Sequence, residues 1–166
     1  MIKLGVLGVG DLTDRMIRGL ARSRSIATQI FLSPRNQDKA TALASDLHCT
    51  ALSSNQDVVD AADVVLVGVR PAHLADLAQQ VSLKPRQPLV SVVSGISTDE
   101  LRRLFGDRDC SRAMLSYASE INRSTVAVYP ADSMATQLFS PLGTVVPLAT
   151  EREFELATVS ACMNGW

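Results

Sequence analysis

A doubly wound α/β fold with a mostly parallel sheet is the architecture this sequence predicts. Three observations predict it. Short apolar runs alternate with segments of helical period along almost the whole chain. One of them, Val64 to Val69, is apolar throughout, as a central parallel strand covered on both faces requires. The first run ends in two closely spaced glycines that open a helix. The chain has 166 residues, 46% hydrophobic and 20% charged, which suits a single domain.

The elements follow in order. Lys3 to Gly8 reads as a buried strand. Thr13 to Arg22 has helical spacing, with Met16, Ile17 and Leu20 on one face. Ile26 to Leu32 is the second strand, stopped by Ser33-Pro34, and Asn36 to Leu47 the second helix. Asn55 is expected to cap a short helix from Gln56 to Ala62. After the Val64 to Val69 strand, Pro71 stands at the first position of a helix, where a missing N–H is harmless. Leu89 to Val93 is a further strand. Ser97-Thr98-Asp99-Glu100 reads as a capping box opening a helix to Phe105. Arg112 to Leu115 and Thr125 to Tyr129 read as short strands, Ser133 to Leu142 as a helix, and Thr144 to Leu148 as the last strand. Glu151 to Cys162 begins one more helix.

Composition narrows the function classes. Lys and Arg total 16 against 17 Asp and Glu, and no basic stripe with interleaved aromatics suggests a nucleic-acid partner. Cys49, Cys110 and Cys162 form no metal or disulfide spacing, and His48 and His73 are isolated, so no metal is expected and the thiols read as buried and reduced. No segment approaches the ~20 apolar residues of a membrane span. The reading is therefore a cytoplasmic protein with a small-molecule ligand.

The first turn carries the chemistry. Gly8-Val9-Gly10-Asp11-Leu12-Thr13 lies between a predicted strand and a predicted helix. Gly8 permits the tight turn, and Gly10 lets the backbone approach a pyrophosphate. The free N–H groups of Asp11, Leu12 and Thr13 then face that anion. This is the arrangement of a Rossmann-type dinucleotide site, although Thr13 stands where a Gly or Ala is usual.

The end of the second strand selects the cofactor. NAD sites place an Asp or Glu there, about 20 residues past the glycines, to hold the ribose 2′-OH. This chain has Ser33-Pro34-Arg35-Asn36 instead. A hydroxyl and a guanidinium suit a 2′-phosphate, so NADP(H) is the expected cofactor, with a discrimination over NAD(H) of roughly tenfold to a few hundredfold. Arg35 could otherwise be an ordinary solvated loop arginine. Gly68-Val69-Arg70-Pro71 and Ser94-Gly95-Ile96 end later strands at the same sheet edge, where ligands of open α/β sheets sit.

Taken together these segments resemble pyrroline-5-carboxylate reductase, the NAD(P)H-dependent enzyme that makes proline. LGVLGVGDLTDRMIRGL is similar to that family's opening strand and glycine turn, and SPRN to its 2′-phosphate loop. SSNQDVVDAADVVLVGVRP resembles its asparagine-containing segment, fourth strand and V-K-P turn, with Arg70 in place of Lys. SVVSGIS resembles its S-V-A-A-G-I-S strand end. The resemblance adds Asn55, Val69, Arg70 and Ser94 to the cofactor contacts, beside Pro71 and Gly95 of the same turns.

The chain departs from the family beside the nicotinamide. Where the family has M-P-N-T-P, this sequence reads Met114-Leu115-Ser116-Tyr117-Ala118, so Ser116 and Tyr117 are the nearest candidates for a catalytic group. The resemblance divides the chain into an NADP-binding domain over residues 1–150 and, over 151–166, the start of a helix. In the family that helix leads to a C-terminal helical domain that binds substrate and forms a homodimer. That domain is absent from this sequence, and the apolar Phe154, Leu156, Ala157 and Val159 suggest a fragment of a longer protein. Two functions are expected. One is a reductase transferring hydride to a cyclic imine or related small substrate. The other is a non-catalytic NADP-binding sensor or regulatory protein.

Overall fold

The computed structural model describes residues 1–23, 28–131 and 133–163. Eight strands form one sheet in the order β3-β2-β1-β4-β5-β6-β7-β8. They are β1 (Ile2–Leu7), β2 (Thr28–Leu32), β3 (Thr50–Ala51), β4 (Val64–Val67), β5 (Leu89–Ser91), β6 (Cys110–Met114), β7 (Ser124–Tyr129) and β8 (Gly143–Pro147). Every neighbouring pair is parallel except β6 and β7. The expected mostly parallel, doubly wound sheet is the observed one. The predicted start of the second strand at Ile26 and the terminal Trp166 lie outside the described residues.

The helices are α1 (Asp11–Ser23), α2 (Gln37–Leu47), α3 (Asn55–Ala61), α4 (Leu74–Gln80), α5 (Thr98–Phe105), α6 (Met134–Phe139) and α7 (Glu151–Met163). Single 3-10 turns cover Pro71–His73, Tyr117–Ile121 and Ser140–Leu142. Pro71 does stand at the first position of its turn. The predicted Ser133 to Leu142 helix divides into α6 and the last of these turns, whose first residues are Ser140-Pro141. A proline there has no N–H to continue an α-helical ladder.

Alternation along the strands fills two cores, one on each face of the sheet. Leu4, Val6, Val64 and Leu66 pack with Met16, Ile17, Leu20 and Leu43 of α1 and α2. Leu7, Val65 and Val67 pack with Val58, Leu74, Leu77 and Leu101 of α3, α4 and α5. Both faces of β4 are thus covered, which is why its sequence is continuously apolar. Cys49 and Cys110 are buried free thiols, and desolvation pushes Cys49 up to about 11 and raises Cys110 as well. The Cys162 side chain lies outside the described residues.

Two caps differ from expectation. Asn55 is the first residue of α3, not its cap. Ser54 caps it, its hydroxyl accepting from Asp57 N–H at 3.0 Å. Asn55 instead donates through Nδ2 to Gln80 Oε1 at 2.8 Å, linking α3 to α4. The capping box of α5 forms by half. The Ser97 hydroxyl accepts from Glu100 N–H at 3.1 Å, while the Glu100 carboxylate pairs with Arg103. The carboxylate that meets this helix end is Glu151 of α7, which accepts from Thr98 N–H at 2.8 Å and from the Thr98 hydroxyl at 3.2 Å.

Chain direction places the crevice. After β1 the chain winds outward through β2 to β3, then returns to β4 on the other side of β1. The carboxyl ends of β1 and β4 therefore diverge, and a switch point of this kind is where an open sheet binds its ligand. Among the described residues no helix is long and apolar enough to cross a membrane.

Candidate functional site

The turn from β1 into α1 is built by hydroxyl and amide bonds. Gly8 has φ +99, open to glycine and strained for other residues. Its N–H donates to Ser33 Oγ at 2.9 Å, joining the ends of β1 and β2. Thr13 is buried; its hydroxyl donates to Gly8 O at 2.9 Å and accepts from Gly10 N–H at 2.8 Å. A Cβ built on Gly68 would lie 2.4 Å from the Thr13 methyl. The unusual threonine of the glycine turn thus has a physical place. It ties the turn shut, and Gly68 at the end of β4 leaves it the room.

Gly10 is the opposite case. A Cβ built there would meet no protein atom within 4 Å. It borders open cleft at the start of α1, whose first N–H groups have no carbonyl one turn back to bond. Such a helix end, with backbone exposed beside it, suits a phosphate.

The cleft has two lobes that share Gly8, Arg35, Val69 and His73. The larger, of about 710 Å³, runs from Gly10, Asp11, Leu12 and Thr13 past Arg70 and Pro71 to Ser94. The smaller, of about 410 Å³, is lined by Ser33, Pro34, Arg35 and Asn55, with Asp76 and Gln80 of α4. Of the residues the sequence singled out for a cofactor, only Gly95 lies outside both linings, in the exposed turn beside Ser94 with φ +73.

Ser33 and Arg35 play different parts. Ser33 is buried and its oxygen already accepts the Gly8 N–H, so it holds the turn from within the smaller lobe. Arg35 is exposed, borders both lobes, and has no ion-pair partner among the described residues. Beside it Asn36 caps α2 by accepting from Lys39 N–H at 3.4 Å and donates to Val9 O at 3.1 Å. That pair of bonds draws the start of α2 to the glycine turn. It brings Lys39 into the larger lobe, where its ammonium pairs with the Asp11 carboxylate. The end of β2 supplies no carboxylate; the acid in the smaller lobe is Asp76, from α4.

Ser116 and Tyr117 separate as well. The Ser116 oxygen lies 3.3 Å from Ser124 Oγ and accepts from Ala118 N–H, capping the 3-10 turn that follows. Tyr117 is half exposed and lines the larger lobe, with the Arg15 guanidinium 4.7 Å from its ring centroid.

Sequence reasoning missed Lys39 and Arg112. Arg112 of β6 is 1% exposed, ion-paired through Nη1 to Glu151 at 2.9 Å and to Glu155, with Phe154 stacked 4.5 Å from its guanidinium. It lines a cavity of about 90 Å³ that shares Leu12, Val92, Val93 and Ser94 with the larger lobe. Glu151 also binds Thr98, just after the Ser94-Gly95 turn, so one carboxylate of α7 joins β6 to the loop at this end of the cleft. An arginine opening the predicted strand Arg112 to Leu115 was the available signal. Phe154 is buried on α7, whereas Leu156 and Val159 are exposed.

Comparison with known proteins bears on this cleft. The family described as NADP oxidoreductase, coenzyme F420-dependent, matches residues 3–95, from β1 through the Ser94-Gly95 turn. Curated relatives include pyrroline-5-carboxylate reductase of Escherichia coli, 29% identical over 132 residues, covering 77% of this chain and 49% of the relative. Another, pyrroline-5-carboxylate reductase 1 of Dictyostelium discoideum, is 30% identical and covers 96% of this chain and 33% of the relative. The chain spans about half the length, or less, of these two relatives. The crystal structure of 1-pyrroline-5-carboxylate reductase from Streptococcus pyogenes superposes with a TM-score of 0.82 at 24% identity, over 96% of this chain and 62% of that one. The Plasmodium falciparum pyrroline carboxylate reductase, solved with NADP bound, gives 0.79 at 18% identity, over 99% and 64%.

Proposed function

Because the chain belongs to the family of coenzyme F420-dependent NADP oxidoreductases, we propose that its cleft binds NADP(H) and that the protein is an NADPH-dependent reductase of the pyrroline-5-carboxylate reductase type. Its substrate in this reading is a cyclic imine or a related small molecule, and the protein works as a homodimer. The observation that carries the cofactor choice is Arg35, a cation without an ion-pair partner among the described residues, where an NAD site would hold an acid.

The residues present fit the dinucleotide. Gly10 leaves its backbone open to the cleft, the first turn of α1 offers N–H groups to the pyrophosphate, and Arg35 offers a planar fork to the 2′-phosphate. Val69, Arg70 and Pro71 border the middle of the cleft, and Ser94 its far end. Bound NADPH would supply the hydride; the protein binds, orients and excludes water. Tyr117 is the residue of the altered Met114–Ala118 segment that borders the larger lobe, and its phenol is the proton donor we favour there. The second reading, an NADP-binding protein without catalysis, is favoured by the Ser116 hydroxyl being taken up in capping. NADPH oxidation in the presence of cyclic imines separates the two.

The cofactor choice is tested by calorimetry with NADPH and NADH. Ser33 is 1% exposed, so the preference falls mainly on Arg35, whose exposure screens the charge. The expected preference for NADPH is about tenfold, the lower end of the range the sequence suggests. Arg35→Ala should remove most of it by weakening NADPH and sparing NADH. Equal affinities in the parent, or an equal loss for both cofactors, would show Arg35 to be a solvated loop residue.

A further inference from the structure

The pyrophosphate end of the cleft already holds an anion of its own. Asp11 is the first residue of α1, its side chain is 71% exposed, and it lines the larger lobe beside Gly10. A carboxylate in the first turn of a helix is favoured by the free N–H groups and the dipole. Those are the features a phosphate group would use. Lys39 reaches the same spot from α2, pairs with Asp11 and also lines the lobe. The Lys39 bond, and next its charge, hold the Asp11 carboxyl below its ordinary value, and Arg15 adds to this, so Asp11 is charged at neutral pH.

We propose that Asp11 opposes the pyrophosphate of a bound dinucleotide, that Lys39 offsets it, and that this pair sets how tightly the cleft holds NADP and NAD alike. The inference rests on the dinucleotide reading of the cleft. Two like charges near one helix end repel, and a neighbouring cation restores the balance. The pair stands at the glycine turn, whereas Arg35 stands at the end of β2. Its effect therefore falls on the pyrophosphate, which both dinucleotides carry, and not on the 2′-phosphate, which only one does.

The experiment is calorimetric titration of the full chain with NADP and with NAD, at low and at moderate salt. The variants are Asp11→Asn, Asp11→Ser, Lys39→Gln and the double variant Asp11→Asn with Lys39→Gln. Asn and Ser both keep a small polar side chain at this first helical position, and circular dichroism confirms the fold of each variant. Both Asp11 variants should bind both dinucleotides about three- to tenfold tighter, by the same factor for each, with the gain shrinking as salt rises. Lys39→Gln should weaken both by a similar factor, and the double variant, which removes two charges of opposite sign beside the pyrophosphate, should return to within about twofold of the parent. If the parent binds dinucleotide and neither Asp11 variant binds tighter, the role given to Asp11 falls while the cleft assignment stands. The same holds if the gain is confined to NADP. If neither parent nor variants bind either dinucleotide, the cleft assignment itself falls.

Discussion

Gly10→Val is expected to abolish dinucleotide binding and to leave the fold within about 1 kcal/mol of the parent. The two effects separate because of where the side chain would go. A Cβ at Gly10 meets no protein atom within 4 Å, so the added methyl groups enter cleft space and disturb no packing. That space is the approach of the backbone to a pyrophosphate, and filling it should weaken binding on the order of a hundredfold or more. Gly8 offers the contrast. With φ +99, and a Cβ that would fall 2.7 Å from Val69 Cγ1 and 2.9 Å from the Val69 nitrogen, Gly8→Ala should lose stability along with binding. Thermal unfolding and NADPH titration of both variants check this. Parent-like affinity in Gly10→Val would mean that no phosphate passes that backbone.

Arg112→Met should destabilise the fold by about 3 kcal/mol, the lower end for breaking a buried ion pair, since the orphaned carboxylates keep some water. Glu151 and Glu155 are 27% and 48% exposed, against 1% for Arg112. Converting both acids to glutamine in the same background should recover much of the loss, because no unpaired charge then remains. The effect carries a pH signature. Partial burial pushes Glu151 up, but the Thr98 N–H bond and then Arg112 outweigh it, leaving its pKa below the ordinary 4.5. A lowered native pKa gives stability that is whole above 4.5 and is lost as pH falls through the native value. The gap between parent and Arg112→Met should therefore narrow in acid. Urea unfolding at pH 7 and at a series of pH values below 4.5 measures it. A loss under about 1 kcal/mol, or a gap indifferent to pH, would show that the pairing adds little.

What the sequence made legible was local. The strands and the main helices announce themselves by period, and the glycine turn by its place between them, because each depends on residues a few positions apart. β3 escaped notice because two residues carry no period. The reversal of β7 against β6 depends on how the intervening segment folds back, and the 3-10 turn at Tyr117–Ile121 has no marker of its own. Ser33 is legible as a site residue, but its bond to Gly8 N–H, which also makes it a brace for the turn, spans 25 positions. Long separations in sequence likewise hid Lys39, 28 positions from Asp11, and the contact of Glu151 with Arg112, 39 positions away. The cleft's backbone geometry was readable, and the charges that tune it required the fold.

On this reading the cleft between the β1–α1 turn and the carboxyl ends of β2 and β4 holds NADP(H). Amide hydrogen exchange of the full chain, with and without saturating NADPH, tests it most directly. Slowed exchange is expected at residues 8–13, 33–39 and 68–73, with Gly10→Val showing none of it. Protection confined to other segments, such as the face of α7 bearing Leu156 and Val159, or no protection at all, would contradict it.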